Sequence, residues 1–452
     1  MKRFAIKPGA DRRIFRSAVV VSLCLVLVKI AGVAKEFVVA GIFGRSDELE
    51  AFFIAALIPG LLINIVSESL NQALIPTIVR VREQAGREEA RKLFSNAMLW
   101  NAGLLLGVGM AMATSARAVF PLLGSHFTEE KLGLAINMFY GMQPVVVLTG
   151  IASMCAAVLN TEGEFAVPAI APIVTSISVI LMVPLLVKRT GAWSLVYAML
   201  AGALVHVFWM MWKTSRSGCL GWPKLHGMDE NAREVIRQSG PLILSGVVAS
   251  GGLLIDQAMA ASLPAGSLAA LAYAGRFISV ALALLGGAIS SALTPILSEM
   301  VARKEWGECK RTVRRWAERS MTAAMVTTGA LMFGSRMLVR LTLQHGAFGA
   351  KDSAVVSGVL VMYALQIPFF VSSRVFYRVL VAMRRTDIVL YCGVLNLGLD
   401  VVLNVVLMRW MGVAGIALAT SLWTISTFLF LWYWSKRVLA VVESACAVTA
   451  AD

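Results

Sequence analysis

From Ala18 to Phe43 the chain is apolar except for Ser22, Cys24, Lys29, Lys35 and Glu36, and runs of this length recur along the whole sequence. A stretch of about 20 apolar residues is long enough to cross a bilayer as a helix. Twelve such runs are centred near Ile30, Leu62, Leu106, Val146, Val179, Ala203, Gly251, Leu284, Val326, Phe369, Asn396 and Ile425. Hydrophobic residues make up 58% of the chain, charged residues 15%, and the mean hydropathy is +0.77. No alternating pattern of strands competes with these runs. The chain therefore reads as an all-α polytopic membrane protein of about twelve transmembrane helices, with no cleavable leader ahead of the first span.

The formal net charge of +15 reports topology rather than nucleic-acid binding. Most of the 41 Lys and Arg residues fall at the N-terminus, around Arg80–Lys92, Lys213–Arg237 and Arg303–Arg319, and at Arg384–Arg385 and Lys436–Arg437. These segments alternate with the spans. The positive-inside rule then places both termini in the cytoplasm. No basic patch interleaved with aromatics accompanies them. The amphipathic segments around Arg80–Lys92 and Arg303–Arg315 are expected to lie on the membrane surface as coupling elements between spans. The six cysteines have no metal-ligand spacing, and the four histidines offer no i, i+4 pair.

The chain also repeats. Tyr140-Gly-Met-Gln143-Pro144 followed by Asn160 and Glu164 corresponds to Tyr363-Ala-Leu-Gln366-Ile-Pro368 followed by Met383 and Asp387. Leu74-Ile-Pro76 corresponds to Leu293-Thr-Pro295, and Glu36 to Asp256, all about 220 residues apart. Two pseudo-symmetric six-helix halves around a central cavity are expected: residues 1–214, a Gly- and Pro-rich cytoplasmic linker over 215–234, and residues 235–452. Halves with an even number of spans enter the membrane in the same direction, an arrangement suited to rocking about a shared site.

The charges inside spans carry the functional reading. Lys29 lies about 15–18 Å into the bilayer, where a charge costs ~2.5–3.5 kcal/mol unless it meets a partner or water. Lys29, Gly32 and Glu36 share a helical face, whereas Lys35 points away and snorkels outward. Span 2 carries Glu50, Asn64 and Glu68; span 7, Asp256; span 8, Arg276; span 10, Arg374 and Arg378; span 11, Asn396, Asp400 and Asn404. One reading makes these structural ion pairs such as Lys29–Glu36 or Arg276–Asp256. The other makes Lys29, Arg276, Arg374 and Arg378 a cationic cavity for a phosphorylated ligand, since guanidinium suits bidentate phosphate contact. Glu68, Asp256 and Asp400 are candidates for coupling or gating. There is no Walker A sequence and no catalytic constellation, so an enzyme is not expected. The expected energy source is an ion gradient (Na+ or H+) or the membrane potential, with no other cofactor.

Several motifs add a resemblance. Lys29-Ile-Ala-Gly32-Val-Ala-Lys35-Glu36, Ile42-Phe43-Gly44, Glu50-Ala-Phe52-Phe53, Ile58-Pro59, Gln72-Ala-Leu-Ile-Pro76, Gln238-Ser-Gly240-Pro241 and Tyr273-Ala-Gly-Arg276 resemble, in order and spacing, the signature of the MurJ/MviN lipid II flippases of the multidrug/oligosaccharidyl-lipid/polysaccharide exporter superfamily. The resemblance runs from about Val20 to Arg437. It implies flipping of undecaprenyl-diphosphate-linked peptidoglycan precursor by alternating access in the bacterial inner membrane. It also implies a role in cell-wall biogenesis, with membrane lipids and cell-wall or polysaccharide synthesis enzymes as partners. It places Lys29, Lys35, Glu36, Glu50 and Arg276 at charged family positions; Asn64, Arg374 and Arg378 complete the proposed substrate set. The chain departs from the pattern at Ile63-Asn64, where the family has two arginines, and twelve spans are read where the family usually has fourteen. Two alternatives stay open within transport: a flippase for another polyprenyl-linked oligosaccharide, and a cation-coupled multidrug exporter using the embedded carboxylates. A non-transporting scaffold is the alternative outside it.

Overall fold

The computed structural model describes residues 10–218, 227, 230–303, 305–383 and 385–449. In chain order its helices are α1 (Ala10–Phe43), α2 (Asp47–Leu62), a π turn (Ile63–Ser67), α3 (Glu68–Ala85), α4 (Arg87–Leu123), α5 (Glu129–Thr161), the short α6 (Ala166–Ile170), α7 (Ile173–Thr190), α8 (Trp193–Arg216), α9 (Glu230–Ala261), α10 (Ser267–Ala302), α11 (Trp306–Leu343), α12 (Ala350–Ala364), α13 (Ile367–Ala382), α14 (Thr386–Met411) and α15 (Val413–Thr449). Among the described residues eleven helical stretches are long and apolar enough to cross a membrane. The long helix α1, with Lys29, Lys35 and Glu36 in its apolar run, makes the twelfth. The all-α polytopic fold expected from the apolar runs is the one observed. Of the N-terminal cluster, Lys2, Arg3 and Lys7 lie outside the described residues, as do residues 219–226, 228 and 229 of the expected linker.

The helix starts follow local chemistry. Ser46 caps α2 by accepting from the Leu49 amide at 3.3 Å, and Asp47, Glu48 and Glu50 fill its first turn. Thr128 caps α5 in the same way, ahead of Glu129 and Glu130. Hydroxyl caps satisfy orphan amides, and acids in the first turn complement the helix dipole.

The chain forms two compact units, Met1–Ser250 and Gly251–Asp452. In the first, α5 packs on α2, α4 and α8, while α1 lies along α6 and α7. Its core joins Leu70, Leu74 and Ile78 of α3, Phe94 and Met98 of α4, Met154 and Val158 of α5 and Met210 of α8. In the second unit α13 is central, against α10, α11 and α15, with Val375, Phe376 and Val379 meeting Leu293, Leu297, Val313 and Leu431. Span 10 is divided at Leu365–Gln366 into α12 and α13, whereas its counterpart α5 runs unbroken past Pro144.

The basic stretches are continuous with the long helices beside them. Arg80 and Arg82 belong to the last turns of α3, and Arg87–Lys92 opens α4 after the single left-handed residue Gly86. The stretch Trp306–Arg315 is the start of α11, which is 38 residues and about 57 Å long. No proline interrupts α11, so the helical ladder carries the basic segment and the span as one rod.

The turn between α14 and α15 depends on a missing side chain. Gly412 takes a φ of 58°, and a Cβ on Gly415 would stand 2.2 Å from the Leu407 carbonyl oxygen. That neighbour is backbone and has no rotamer to change. Gly415→Ala should therefore destabilise the second unit by about 1–3 kcal/mol, as overpacked sites do. An unfolding midpoint in detergent equal to that of the wild type would contradict the close approach.

Candidate functional site

In the second unit, two carboxylates meet over one amide. Asp256 comes from α9, Asp400 and Asn404 from successive turns of α14, and Thr420 from α15. Asn404 Nδ2 donates to Asp256 Oδ1 at 2.7 Å and to Asp400 Oδ1 at 3.2 Å. The Thr420 hydroxyl donates to Asp256 Oδ2 at 3.1 Å. Asp256, Asp400 and Asn404 are 7%, 2% and 0% exposed. Among the described residues, Asp400 Oδ2 and Asn404 Oδ1 are buried without a hydrogen-bond partner. Buried polar atoms normally have partners, so these two oxygens point to something further at the site. The available acceptors are all oxygen, which suits a hard cation or a proton rather than a soft transition metal. The i, i+4 spacing of Asp400 and Asn404 was visible in the sequence. The part of Thr420 was not singled out; its signal is the polar stripe Thr420, Thr424 and Thr427 on α15.

In the first unit the expected residues divide into exposed and engaged ones. Lys29 is exposed on α1, and Glu36 is buried one to two turns further on. Lys35 does not turn away from Glu36, as the helical face predicts: its Nζ lies 3.1 Å from Glu36 Oε1. The long, flexible lysine stem lets neighbouring side chains meet despite diverging Cβ directions. Glu50 is buried at 2% and engaged by Lys131 of α5, Nζ to Oε2 2.6 Å. Lys131 also reaches Asp47 Oδ1 at 2.6 Å and stands 4.0 Å from the centre of the Phe127 ring. Sequence reasoning missed Lys131. A lysine in the first turn of a helix opposes the dipole, and that mismatch was the available signal. Asn64, in the π turn, and Glu68, at the start of α3, are both exposed.

The remaining cations lie in the second unit. Arg276 is exposed on α10. Arg374 and Arg378 sit one turn apart on α13, half-buried. The Arg374 guanidinium lies 4.4 Å from the Phe370 ring centre and that of Arg378 5.8 Å from Tyr377. Neither arginine has a carboxylate within ion-pair distance among the described residues, and Arg378 Nε is buried without a hydrogen-bond partner. Cation–π contact partly offsets desolvation but leaves the guanidinium donors available to an anion.

Long apolar helices, two arginines within a span that have no carboxylate at ion-pair distance among the described residues, and a buried carboxylate pair define a polytopic membrane protein of the transporter class. The family model described as "Lipid II flippase MurJ" matches residues 39–451, and the chain belongs to that family. It is similar to probable lipid II flippases MurJ of Buchnera aphidicola, 25% identical over 91% of this chain and 81% of the relative, and of Synechocystis, 25% identical over 95% and 83%. Among solved structures, the fold matches a lipid II flippase MurJ in an inward closed conformation at a TM-score of 0.81, with 22% identity over 95% of this chain and 91% of that one. It also matches an inward-facing MATE family multidrug resistance transporter of the MOP superfamily at 0.74, with 13% identity over 94% and 99%. The family read from the motifs of spans 1, 2, 7 and 8 is the family found.

Proposed function

We infer that this chain translocates lipid II, the polyprenyl-diphosphate-linked peptidoglycan precursor, from the inner to the outer leaflet of the bacterial cytoplasmic membrane. The observation that carries this reading is the family match over nearly the whole chain. The unpaired guanidinium groups of Arg374 and Arg378 support it chemically. A cation inside a span costs free energy unless an anion or water meets it, and a diphosphate supplies that anion. Lys29 and Arg276 are exposed within their helices and complete the basic set, with Lys35, Glu36, Glu50 and Asn64 arranging its surroundings. Both termini face the cytoplasm, where the basic segments contact anionic lipid. The cycle is alternating access, and the Asp256–Asp400 pair holds the coupling cation, Na+ or H+. Arg differs from Lys in offering a fork to phosphate, so Lys29 contributes a point charge where the arginines contribute forks.

The test is complementation in cells whose own lipid II flippase is shut off. Wild-type chain should restore growth, and a Lys29→Ala/Arg276→Ala variant, inserted at equal level, should not. Growth with the double variant would remove these residues from the site. Failure of a well-inserted wild type would reject lipid II as the cargo and turn the search to other polyprenyl-linked glycans.

A further inference from the structure

Span 2 is not a simple helix. Between α2 and α3 the backbone makes a π turn over Ile63–Ser67. A π turn holds one residue more than an α turn, is rare, and recurs at functional positions. Pro59 lies one turn ahead of it and removes a donor from the preceding ladder. On its buried side the turn is braced by side chains rather than by apolar packing alone. Ser67 Oγ donates to Asn101 Oδ1 at 3.4 Å, and Asn101 Nδ2 donates to the Gly150 carbonyl at 3.1 Å. One turn further on, Asn71 Nδ2 donates to Ser153 Oγ at 2.7 Å. Ser67 and Asn101 are 1% and 0% exposed. Away from these braces, Asn64 and Glu68 are exposed.

We propose that the π turn is a register joint on which span 2 moves during transport. The extra residue migrates along the helix between Pro59 and Asn71. Each residue it passes turns by about 100° and shifts by about 1.5 Å, the geometry of one helical step. Such a migration changes the facing of Asn64 and Glu68 without unwinding the span, because every backbone group exchanges one intrahelical partner for another. The long Ser67–Asn101 bond is the weakest brace and the point of release, whereas the short Asn71–Ser153 bond marks the fixed end. The proposal rests on the flippase reading, since it assigns the motion to that cycle.

Deletion of Ile65 tests it. Removing one residue converts the π turn to α-helix and keeps both flanks in register. Wild type and the deletion variant are reconstituted in vesicles containing lipid II, and hydrogen exchange is followed in the wild type. The deletion variant should unfold at an equal or higher temperature yet flip lipid II at least about tenfold more slowly, as expected when a conformational step is blocked. Wild-type amides 63–68 should exchange at least about tenfold faster than amides 50–57. Flipping by the deletion variant at the wild-type rate would overturn the joint, as would equal protection of the two segments. If the deletion variant does not insert, the exchange contrast decides alone. If the wild type does not flip lipid II, the flippase reading falls, and the exchange contrast still decides whether the turn moves.

Discussion

Asp256→Asn and Asp400→Asn should each remove ion-driven transport while leaving the protein folded. The expected loss is about 5–150-fold, the usual range for a coupling free energy between two sites. The geometry gives the reason. Two carboxylates share the Nδ2 group of Asn404, and Asp400 Oδ2 and Asn404 Oδ1 have no hydrogen-bond partner although both are buried. Like charges this close are not both kept ionised and bare; a proton or a cation has to be shared between them. Asparagine keeps the shape and deletes one charge, so it removes the cation's counter-charge without opening a cavity. The double variant Asp256→Asn/Asp400→Asn should be no worse than either single one, because groups that act as a unit are not additive. Vesicles carrying lipid II, with a Na+ gradient or a pH gradient imposed in turn, identify the ion. A single variant that responds to both gradients like the wild type would make the pair a helix-to-helix contact and nothing more.

This pair also marks how far the sequence can be read. The twelve spans were legible because a bilayer imposes length and apolarity on every crossing segment, a constraint local to each run. The family motifs were legible because they are short, ordered and near in sequence to the charges they carry. Asp256 and Asp400 were each visible as an oddity inside a span. Their meeting through Asn404 was not, because it joins α9 to α14, and helical periodicity gives a residue's direction but not what it faces. The pairing of Lys35 with Glu36 was misread for a related reason: Cβ directions diverge, yet a four-carbon stem reaches across. The basic stretch at the start of α11 was read as an amphipathic segment on the membrane surface, and composition alone does not say whether such a segment is joined rigidly to the span behind it. The π turn left no trace in the pattern, since a single extra residue in a helix alters the phase of an apolar stripe very little.

Lys131→Met should cost the first unit about 3–5 kcal/mol, the usual consequence of removing one partner of a buried ion pair. Glu50 would remain, 2% exposed, without the Lys131 ammonium 2.6 Å from its Oε2. Asp47 contributes little to this figure, because its side chain is 64% exposed and water screens it. Met matches the lysine stem in length, so the loss reports the ammonium, including its contact over the Phe127 ring. Glu50→Gln should fail less severely, because a lysine freed of one partner still has Asp47 2.6 Å away. Glu50→Gln/Lys131→Met leaves two neutral groups and should recover most of the lost stability, since replacing both members of a buried pair is often close to neutral. The pair joins the first turn of α2 to the first turn of α5, and α5 also packs on α4 and α8. Loosening it therefore releases the helix on which much of the unit rests. Unfolding midpoints measured in detergent decide the matter: a Lys131→Met protein as stable as the wild type, or a double variant no better than Lys131→Met alone, would mean that the two helix starts are held by packing and not by this charge.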